Sequence, residues 1–339
     1  MTWSDERIAR AFRAADPART PIDAGARPDA EPVRDRIMRR SADAPASSAR
    51  PRIRTRLVAP LLAAAALVVV LVLALPFGVP TAHARTPAAL RYVAVDATVD
   101  EVIGEAVRLL TRGVTRDHSE RGSVSLGWYM DATVGNDTDR VVITPHRLRV
   151  AWNQDLSGEV TTTAGIPYFG GATGPAPDLP PAAIAPGTLL ARQTYGPGEY
   201  RARVSSPPGD TADDMRALLS SYGAEPGAGA LQTIAVLGSI FSDWTLSDVQ
   251  QAALLDVLST EPGLSVAGQT VDRSGRSVTA LRAVSASSPY AVYLLLSRTT
   301  GRIVGSEDVL REAVSDPDLP EGAVTAYTLW DVDEEGRMP

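Results

Sequence analysis

The sequence predicts an α+β protein in which a single transmembrane helix precedes an extracytoplasmic domain built from packed helices and a curved antiparallel sheet. Three observations support this fold class. A wholly apolar run occupies residues 57–75. The segments after it follow the order helix, strands, helices, strands, which is typical of α+β folds rather than of doubly wound parallel sheets. Short turns rich in Gly and Asp separate the strand-like segments, as in antiparallel hairpins.

Composition and charge divide the chain of 339 residues into unlike parts. It contains no cysteine, and all 33 basic residues are arginine, so disulfides, thiolate zinc sites and lysine chemistry are excluded. Residues 1–56 carry 13 arginines and 8 acidic residues, a net charge of +5, whereas residues 85–339 carry a net charge of −12. An acidic body argues against nucleic acid as a partner, because phosphate binding needs clustered positive charge.

The apolar run has the length and flanks of a membrane span. Residues 57–75 include no charged or hydrogen-bonding side chain. A helix of roughly 19 residues covers about 28 Å of a hydrocarbon core about 30 Å thick. Positive charge is concentrated before the run, which orients the N-terminus toward the cytoplasm. The arginines in segment 37–56 are Arg39, Arg40, Arg50, Arg52, Arg54 and Arg56, and those in segment 76–95 are Arg85 and Arg91.

Export with cleavage is the alternative for this segment. Ala82-His83-Ala84 has the A-x-A form of a signal-peptidase site. However, the apolar run exceeds the roughly 7–15 residues usual in a signal peptide, and the whole of segment 1–56 precedes it. The anchor is therefore the favoured interpretation, with an Arg-rich cytoplasmic tail (1–56), a transmembrane helix (57–75), a linker (76–90) and an extracytoplasmic α+β domain (91–339).

The cytoplasmic tail contains two short helical candidates joined by a linker rich in Pro, Ala and Asp. Ser4 is positioned to cap a helix over 5–15 that carries Ile8 and Phe12 on one face. Val33, Ile37 and Met38 line a second candidate over 31–40. Isolated helices of this length are marginal in water, so the tail is either a solvated segment or a pair of helices that fold against a cytoplasmic partner.

The external domain begins with a predicted amphipathic helix, "TVDEVIGEAVRLLTRGV", in which Thr98 and Glu101 have capping-box spacing. Strand-like alternation follows in "GSVSLGWYMDATV", "DRVVITPHRLRVAWN" and "GEVTTTAG". Residues 165–187 are rich in Gly and Pro, which predicts a long ordered surface loop or lid.

A block of helices and a final set of strands complete the predicted domain. The helices are "TADDMRALLSSYG", capped near Thr211, "GALQTIAVLGSIFSDW", and "SDVQQAALLDVLST", with Ser247 and Gln250 in capping-box register. The strands are "GLSVAGQTV", "SVTALRAVS", "YAVYLLLS", "IVGSEDVL" and "AVTAYTLWDV", with hairpin turns at 272–275 and 299–301.

The sequence predicts no catalytic, cofactor-binding or metal-binding residue, and hence no enzyme. His83, His118 and His146 lack neighbouring ligands, and Ser125 lies outside any G-x-S-x-G pattern. Acidic residues cluster at Asp213-Asp214, at Glu307-Asp308 and at Asp331, Asp333, Glu334 and Glu335, without a glycine-centred calcium loop. The aromatic residues Trp128, Tyr129 and Trp152 occupy strand positions, where packing is the expected role.

Several segments resemble a family of uncharacterised actinobacterial single-pass membrane proteins. They are "RTPAALRYVAV", "GWYMDATV", "VVITPHRLRVAWNQDLSGEV", "ALQTIAVLGSIF", "QQAALLDVLSTEPGLSVAGQTVDRSGR" and "YLLLSRTTGRIVGSEDVL", whose "TGR" turn is the most specific piece. Members are often encoded beside extracytoplasmic-function sigma factors. The resemblance implies an anti-sigma-like role and an external domain similar to lipoprotein-carrier half-barrels, but it carries over no catalytic residue. The zinc-binding H-x-x-x-C-x-x-C helix of better-known anti-sigma factors is absent, since the chain has no cysteine.

Two functions are consistent with these patterns. The first is a non-enzymatic, membrane-anchored sensing or regulatory protein that relays a signal through its tail to a cytoplasmic partner such as a sigma factor. The second is a module that binds an envelope lipid or lipoprotein and for which the anchor is only a tether.

Overall fold

The computed structural model describes residues 86–113, 116–130, 142–175, 184–315 and 318–332. Within these ranges no helix is long and apolar enough to cross a membrane. The predicted span at 57–75 and the predicted tail helices lie outside the described residues, as do His83, Asp333, Glu334 and Glu335.

Four helices and fourteen strands make up the described residues. The helices are α1 (Val99–Arg112), α2 (Ala212–Ser221), α3 (Ala230–Asp243) and α4 (Asp248–Ser259). The first seven strands are β1 (Glu120–Tyr129), β2 (Val142–Ile143), β3 (His146–Trp152), β4 (Gly158–Ala164), β5 (Tyr168–Phe169), β6 (Leu189–Tyr195) and β7 (Trp244–Thr245). The remaining strands are β8 (Leu264–Val271), β9 (Ser277–Val284), β10 (Tyr290–Ser297), β11 (Ile303–Leu310), β12 (Val314–Ser315), β13 (Asp318–Leu319) and β14 (Val324–Leu329).

One large antiparallel sheet organises the domain, so the predicted α+β class is confirmed. Its strand order is β6-β4-β3-β1-β14-β11-β10-β9-β8, and β7 pairs with the start of β1. The last strand, β14, lies in the middle and joins the two halves of the sheet. Folding of the sheet therefore requires β1 to pair with a strand near the opposite end of the domain sequence.

The helices begin where the sequence predicts them. Complete capping boxes start three of them, through Thr98 with Glu101, Thr211 with Asp214, and Ser247 with Gln250. Each box satisfies two backbone N–H groups that have no partner inside the helix. Because the two residues of each box are only three positions apart, the start of the helix can be predicted without knowledge of the tertiary structure.

Apolar side chains cover both faces of the sheet. The larger cluster lies between the sheet and the helices, and its most deeply buried members include Leu237, Leu255 and Leu281. A second cluster lies on the opposite face, where Leu90, Tyr168 and Val324 pack together. We call this opposite face the outer face, and it is covered by the segment that precedes α1 and by β2 and β5.

Candidate functional site

The segment that follows the predicted anchor is built into the fold. We call residues 86–93 the strap. Thr86 and Leu90 are buried, each with 7% of its surface exposed. Gly171 N donates to the Thr86 carbonyl at 2.9 Å, and Ala88 N donates to the Ala172 carbonyl at 2.9 Å. The strap therefore starts against the outer face and includes residues that the sequence predicts to be part of a linker.

The far end of the strap is fixed to the edge strand β8. Val93 and Gln269 exchange two backbone hydrogen bonds of 2.8 Å each. This approach requires glycine at position 268, where φ is +130° and a Cβ atom would lie 2.3 Å from the Val93 carbonyl oxygen. A side chain at position 268 would push the strap off the strand.

A buried ion pair holds the middle of the strap. We call Arg273 and Glu307 the clasp, and their side chains are 3% and 1% exposed. Arg273 Nε donates to the Glu307 carboxylate at 3.1 Å, and Nη2 donates to the same oxygen. The other Glu307 oxygen accepts from Leu90 N at 3.1 Å, and Arg273 Nη2 also donates to the Ala88 carbonyl at 2.8 Å. Both clasp residues thus bond directly to the strap.

Aromatic residues enclose the clasp. Tyr293, Glu307 and Tyr327 lie directly opposite one another on β10, β11 and β14. The Arg273 guanidinium lies 4.6 Å from the centre of the Tyr327 ring, and Tyr92 of the strap stacks on Tyr293 with 5.0 Å between ring centres. The contact with the Tyr327 ring stabilises the positive charge of Arg273. The stacked rings of Tyr92 and Tyr293 help to keep water away from the ion pair.

Burial shifts the titration of the groups on β11. Burial raises the pKa of the Glu307 carboxyl, against the opposing effect of the Arg273 guanidinium. Its neighbour Asp308 belongs to the same strand, and its burial together with the negative charge of Glu307 raises its pKa to about 6. Burial also raises the pKa of the Tyr92 hydroxyl, which has no hydrogen-bond partner within the described part of the chain.

A second feature is a cavity where the sheet splits. The register between β1 and β14 covers Leu126–Tyr129, and the earlier part of β1 pairs with β7 instead. Beyond β14 the chain continues alongside β11, with Trp330 N donating to the Val304 carbonyl at 2.8 Å. The gap is a cleft of about 340 Å³. We call it the arginine cleft because Arg116, Arg121, Arg149 and Arg302 line it.

Arg121 occupies an unusual position in this cleft. Its guanidinium lies 5.3 Å from the centre of the Trp152 ring and 5.4 Å from that of Trp244. The two indoles are nearly perpendicular, at 81°, and form a corner around the cation. Its Nε is buried and has no hydrogen-bond partner among the described residues.

The candidates from the sequence do not assemble into a catalytic group. His118 and His146 are exposed on separate elements, and Ser125 is buried within β1. Asp213 and Asp214 belong to the first turn of α2, as predicted, while Asp331 pairs with Arg302. No group of three or more potential metal ligands occurs in the ranges that the structure covers.

The aromatic candidates have different environments. Trp152 belongs to the helix-side core and stacks on Tyr200 at 5.6 Å, and Trp128 packs on the outer face. Tyr129 is 68% exposed, and its hydroxyl lies 2.9 Å from the Thr328 hydroxyl oxygen. The packing role is therefore confirmed for the two tryptophans and wrong for Tyr129.

Comparison with protein families, with curated proteins and with solved structures gives no match to this chain.

Sequence reasoning missed both features. Arg273 belongs to the "DRSGR" turn, where an arginine is normally exposed to water. Glu307 is adjacent to Asp308, and two adjacent acidic residues are normally found at the surface. Arg121 precedes a glycine at the start of a strand and has no distinguishing neighbour in sequence. The one available signal was Glu307 itself, an acid inside the strand-like segment "IVGSEDVL", which begins and ends with apolar residues, because a charge in such a strand needs a buried partner.

Proposed function

We propose that this protein is a non-enzymatic, membrane-anchored envelope protein with a sensing or regulatory role. In this proposal residues 57–75 span the membrane, the arginine-rich tail lies in the cytoplasm and the α+β domain lies outside. A change in the domain reaches the tail through the anchor, and the tail engages a cytoplasmic partner, with a sigma factor as the candidate.

The strap is the observation that carries this proposal. Only the short segment 76–85 separates the predicted anchor from Thr86, and a fully extended chain of that length reaches only about 35 Å. From Thr86 onward the chain is bonded to the outer face and to the clasp. A tether would need no such attachment, whereas a relay requires that the domain and the segment entering the membrane be mechanically connected.

The sequence adds independent support. The net charge of +5 before the apolar run and −12 after it fits two compartments. The resemblance to actinobacterial membrane proteins encoded beside sigma factors suggests the class of partner. The tail also offers apolar helix faces, around Phe12 and around Ile37, that have no use in a solvated segment.

The alternative function is a tethered module that binds an envelope lipid or lipoprotein. A module of this kind would also have helices on one face of an open sheet, as this domain does. Such a carrier needs an apolar cavity between the two layers. Here Leu237, Leu255 and Leu281 fill that interface with 0% exposure. This packing favours the relay over the carrier.

Co-purification of the full chain from membranes of its native host tests the relay. A tag at the C-terminus retrieves the wild type and two tail variants, Phe12→Asp, which places a charge on the apolar face of the predicted helix, and Ala14→Asp, its charge-matched control. We expect a sigma factor to be retrieved with the wild type and with Ala14→Asp, and to be lost with Phe12→Asp. Retrieval of the same cytoplasmic proteins by all three forms, or of none, would contradict the relay.

A further inference from the structure

One arginine of the arginine cleft has no acidic partner among the described residues. Arg116 pairs with Glu120 at 2.6 Å, and Arg302 pairs with Asp331 and with Asp248 behind the cleft. The Arg302–Asp248 pair is buried, whereas the Arg116–Glu120 pair is exposed to solvent. Arg121 forms no ion pair with any residue in the described ranges, so the cleft holds an uncompensated cation inside a domain that is acidic as a whole.

The position of Arg121 leaves a donor without an acceptor. A buried N–H without a hydrogen bond costs about 1–3 kcal/mol, and more when the group is charged. The indoles of Trp152 and Trp244 stabilise the cation through their faces, but an aromatic face does not replace an oxygen acceptor at Nε. Nε itself is closed to solvent, so an oxyanion in the cleft would meet the Nη groups of the same guanidinium, which have no hydrogen-bond partner among the described residues.

The chemistry of the lining selects the kind of ligand. A guanidinium presents a planar fork of N–H donors that matches phosphate and carboxylate oxygens. Arg149, which is exposed on β3, also contributes to the lining. The cavity of about 340 Å³ is about ten times the roughly 30 Å³ that one water occupies in the liquid, so it admits an oxyanion together with part of its ester group.

We infer that the arginine cleft is a binding site for an oxyanion of the phosphate class, with Arg121 as its main ligand. Free phosphate esters and the phosphodiester headgroup of an anionic lipid share this chemistry. The inference rests on the described residues of the cleft and holds whether or not the strap transmits a signal.

Titration calorimetry of the full chain in a neutral detergent tests the site, at constant ionic strength and in a buffer free of phosphate. The probes are inorganic phosphate, dihexanoyl phosphatidylglycerol below its micelle concentration, and dihexanoyl phosphatidylcholine as the zwitterionic control. Arg121→Met removes the fork and keeps an apolar stem against the indoles. Arg108→Gln removes one positive charge from the exposed surface of α1 and serves as the charge-matched control.

A second variant allows the site to be tested even if Arg121→Met does not fold. Ser123 lines the cleft two residues along β1 from Arg121, on the same face of the sheet, and Ser123→Glu adds a competing carboxylate while leaving Arg121 and its aromatic contacts in place. We expect both cleft variants to weaken binding about tenfold or more, as the loss of a charge-assisted hydrogen bond predicts. Arg108→Gln should stay within about twofold of the wild type, because exposed charges are screened.

The outcomes separate the sources of the anion. Binding of inorganic phosphate that is weakened in both cleft variants supports the site with a free phosphate ester as ligand. Binding of phosphatidylglycerol alone, weakened in the same variants, supports it with a lipid headgroup as ligand. Equal affinity in the wild type and the cleft variants, equal losses in Arg108→Gln, or no binding beyond that of phosphatidylcholine would overturn the inference.

Discussion

Asp308 shows how one carboxyl group can couple this fold to pH. Its burial, and the charge of the adjacent Glu307, raise its pKa from 3.8 to about 6. The folded state therefore binds the Asp308 proton more tightly than the unfolded state does. The stability that this proton contributes is complete below about pH 4 and is lost as the pH rises to about 6.

Replacement of Asp308 by Asn should remove this pH dependence. We expect Asp308→Asn to raise the free energy of unfolding by at most about 3 kcal/mol above pH 6, which is the shift expressed as energy, and to change it little at pH 4. Urea denaturation at pH 4 and pH 8 measures the difference. Asp256→Asn, on the exposed surface of α4, is the control, and equal effects of the two substitutions at pH 8 would show that burial of Asp308 is not the cause.

Gly301 in the "TGR" turn is a second position where a single residue governs packing. Its φ is +77°, and a Cβ atom there would lie 2.1 Å from the Ala106 carbonyl oxygen of α1. Gly275 in the turn between β8 and β9 has a similar φ of +91° but open space around it. The two glycines thus both have a positive φ and differ in their contact with a helix.

Comparison of Gly301→Ala with Gly275→Ala separates the stability cost of backbone strain from the cost of losing the contact with α1. We expect Gly275→Ala to cost about 1–2 kcal/mol, the usual penalty for a left-handed residue. Gly301→Ala should cost about 1–3 kcal/mol more, because α1 must move away. Thermal unfolding of the two variants gives the comparison, and equal costs would mean that the turn does not support α1.

At the scale of elements, the strap is an extended segment that depends on side chains from distant strands. Its amides at Ala88, Leu90 and Val93 donate to Ala172, Glu307 and Gln269. Two of these three bonds are to backbone carbonyls, and the third is to the clasp. Loss of the clasp should therefore loosen the middle of the strap first.

Hydrogen exchange of the variant Arg273→Met tests this dependence. Removing one partner of a buried ion pair costs about 3–5 kcal/mol, so we expect amide exchange in the strap to accelerate at least tenfold relative to the wild type. Arg276→Met is the matched control, since Arg276 is a buried arginine of the same turn that bonds to Asp272, Trp330 and Val304 rather than to the strap. The same strap exchange in both variants would refute a specific clasp.

The elements that could be predicted are those whose signals are local. The capping boxes at Thr98 and Ser247, the cap near Thr211 and the turns at 272–275 and 299–301 are each encoded by a few adjacent residues, and the structure has all of them. Strand β6 was missed because six of its seven residues are exposed, so it has no alternation to detect. The attachment of the strap to the clasp was missed because Leu90 and Glu307 are 217 positions apart, and no local pattern encodes such a contact.

At the scale of the whole molecule, the proposed relay depends on the placement of two oppositely charged parts. The positive tail and the acidic domain flank the apolar run at 57–75, and the strap connects the domain to the chain leaving that run. If both parts were in one compartment, the tail could not report the state of an external domain. Topology is therefore the property from which the proposed function follows.

Single-cysteine labelling in intact cells measures this topology most directly, because the natural chain has no cysteine and gives no background. Ala286→Cys places a thiol at an exposed position between β9 and β10, and Ser47→Cys places one in the tail. We expect a membrane-impermeant maleimide to label Ala286→Cys before lysis, and Ser47→Cys only after the membrane is permeabilised. Labelling of both in intact cells, or a released form that lacks the tail, would contradict the anchored relay.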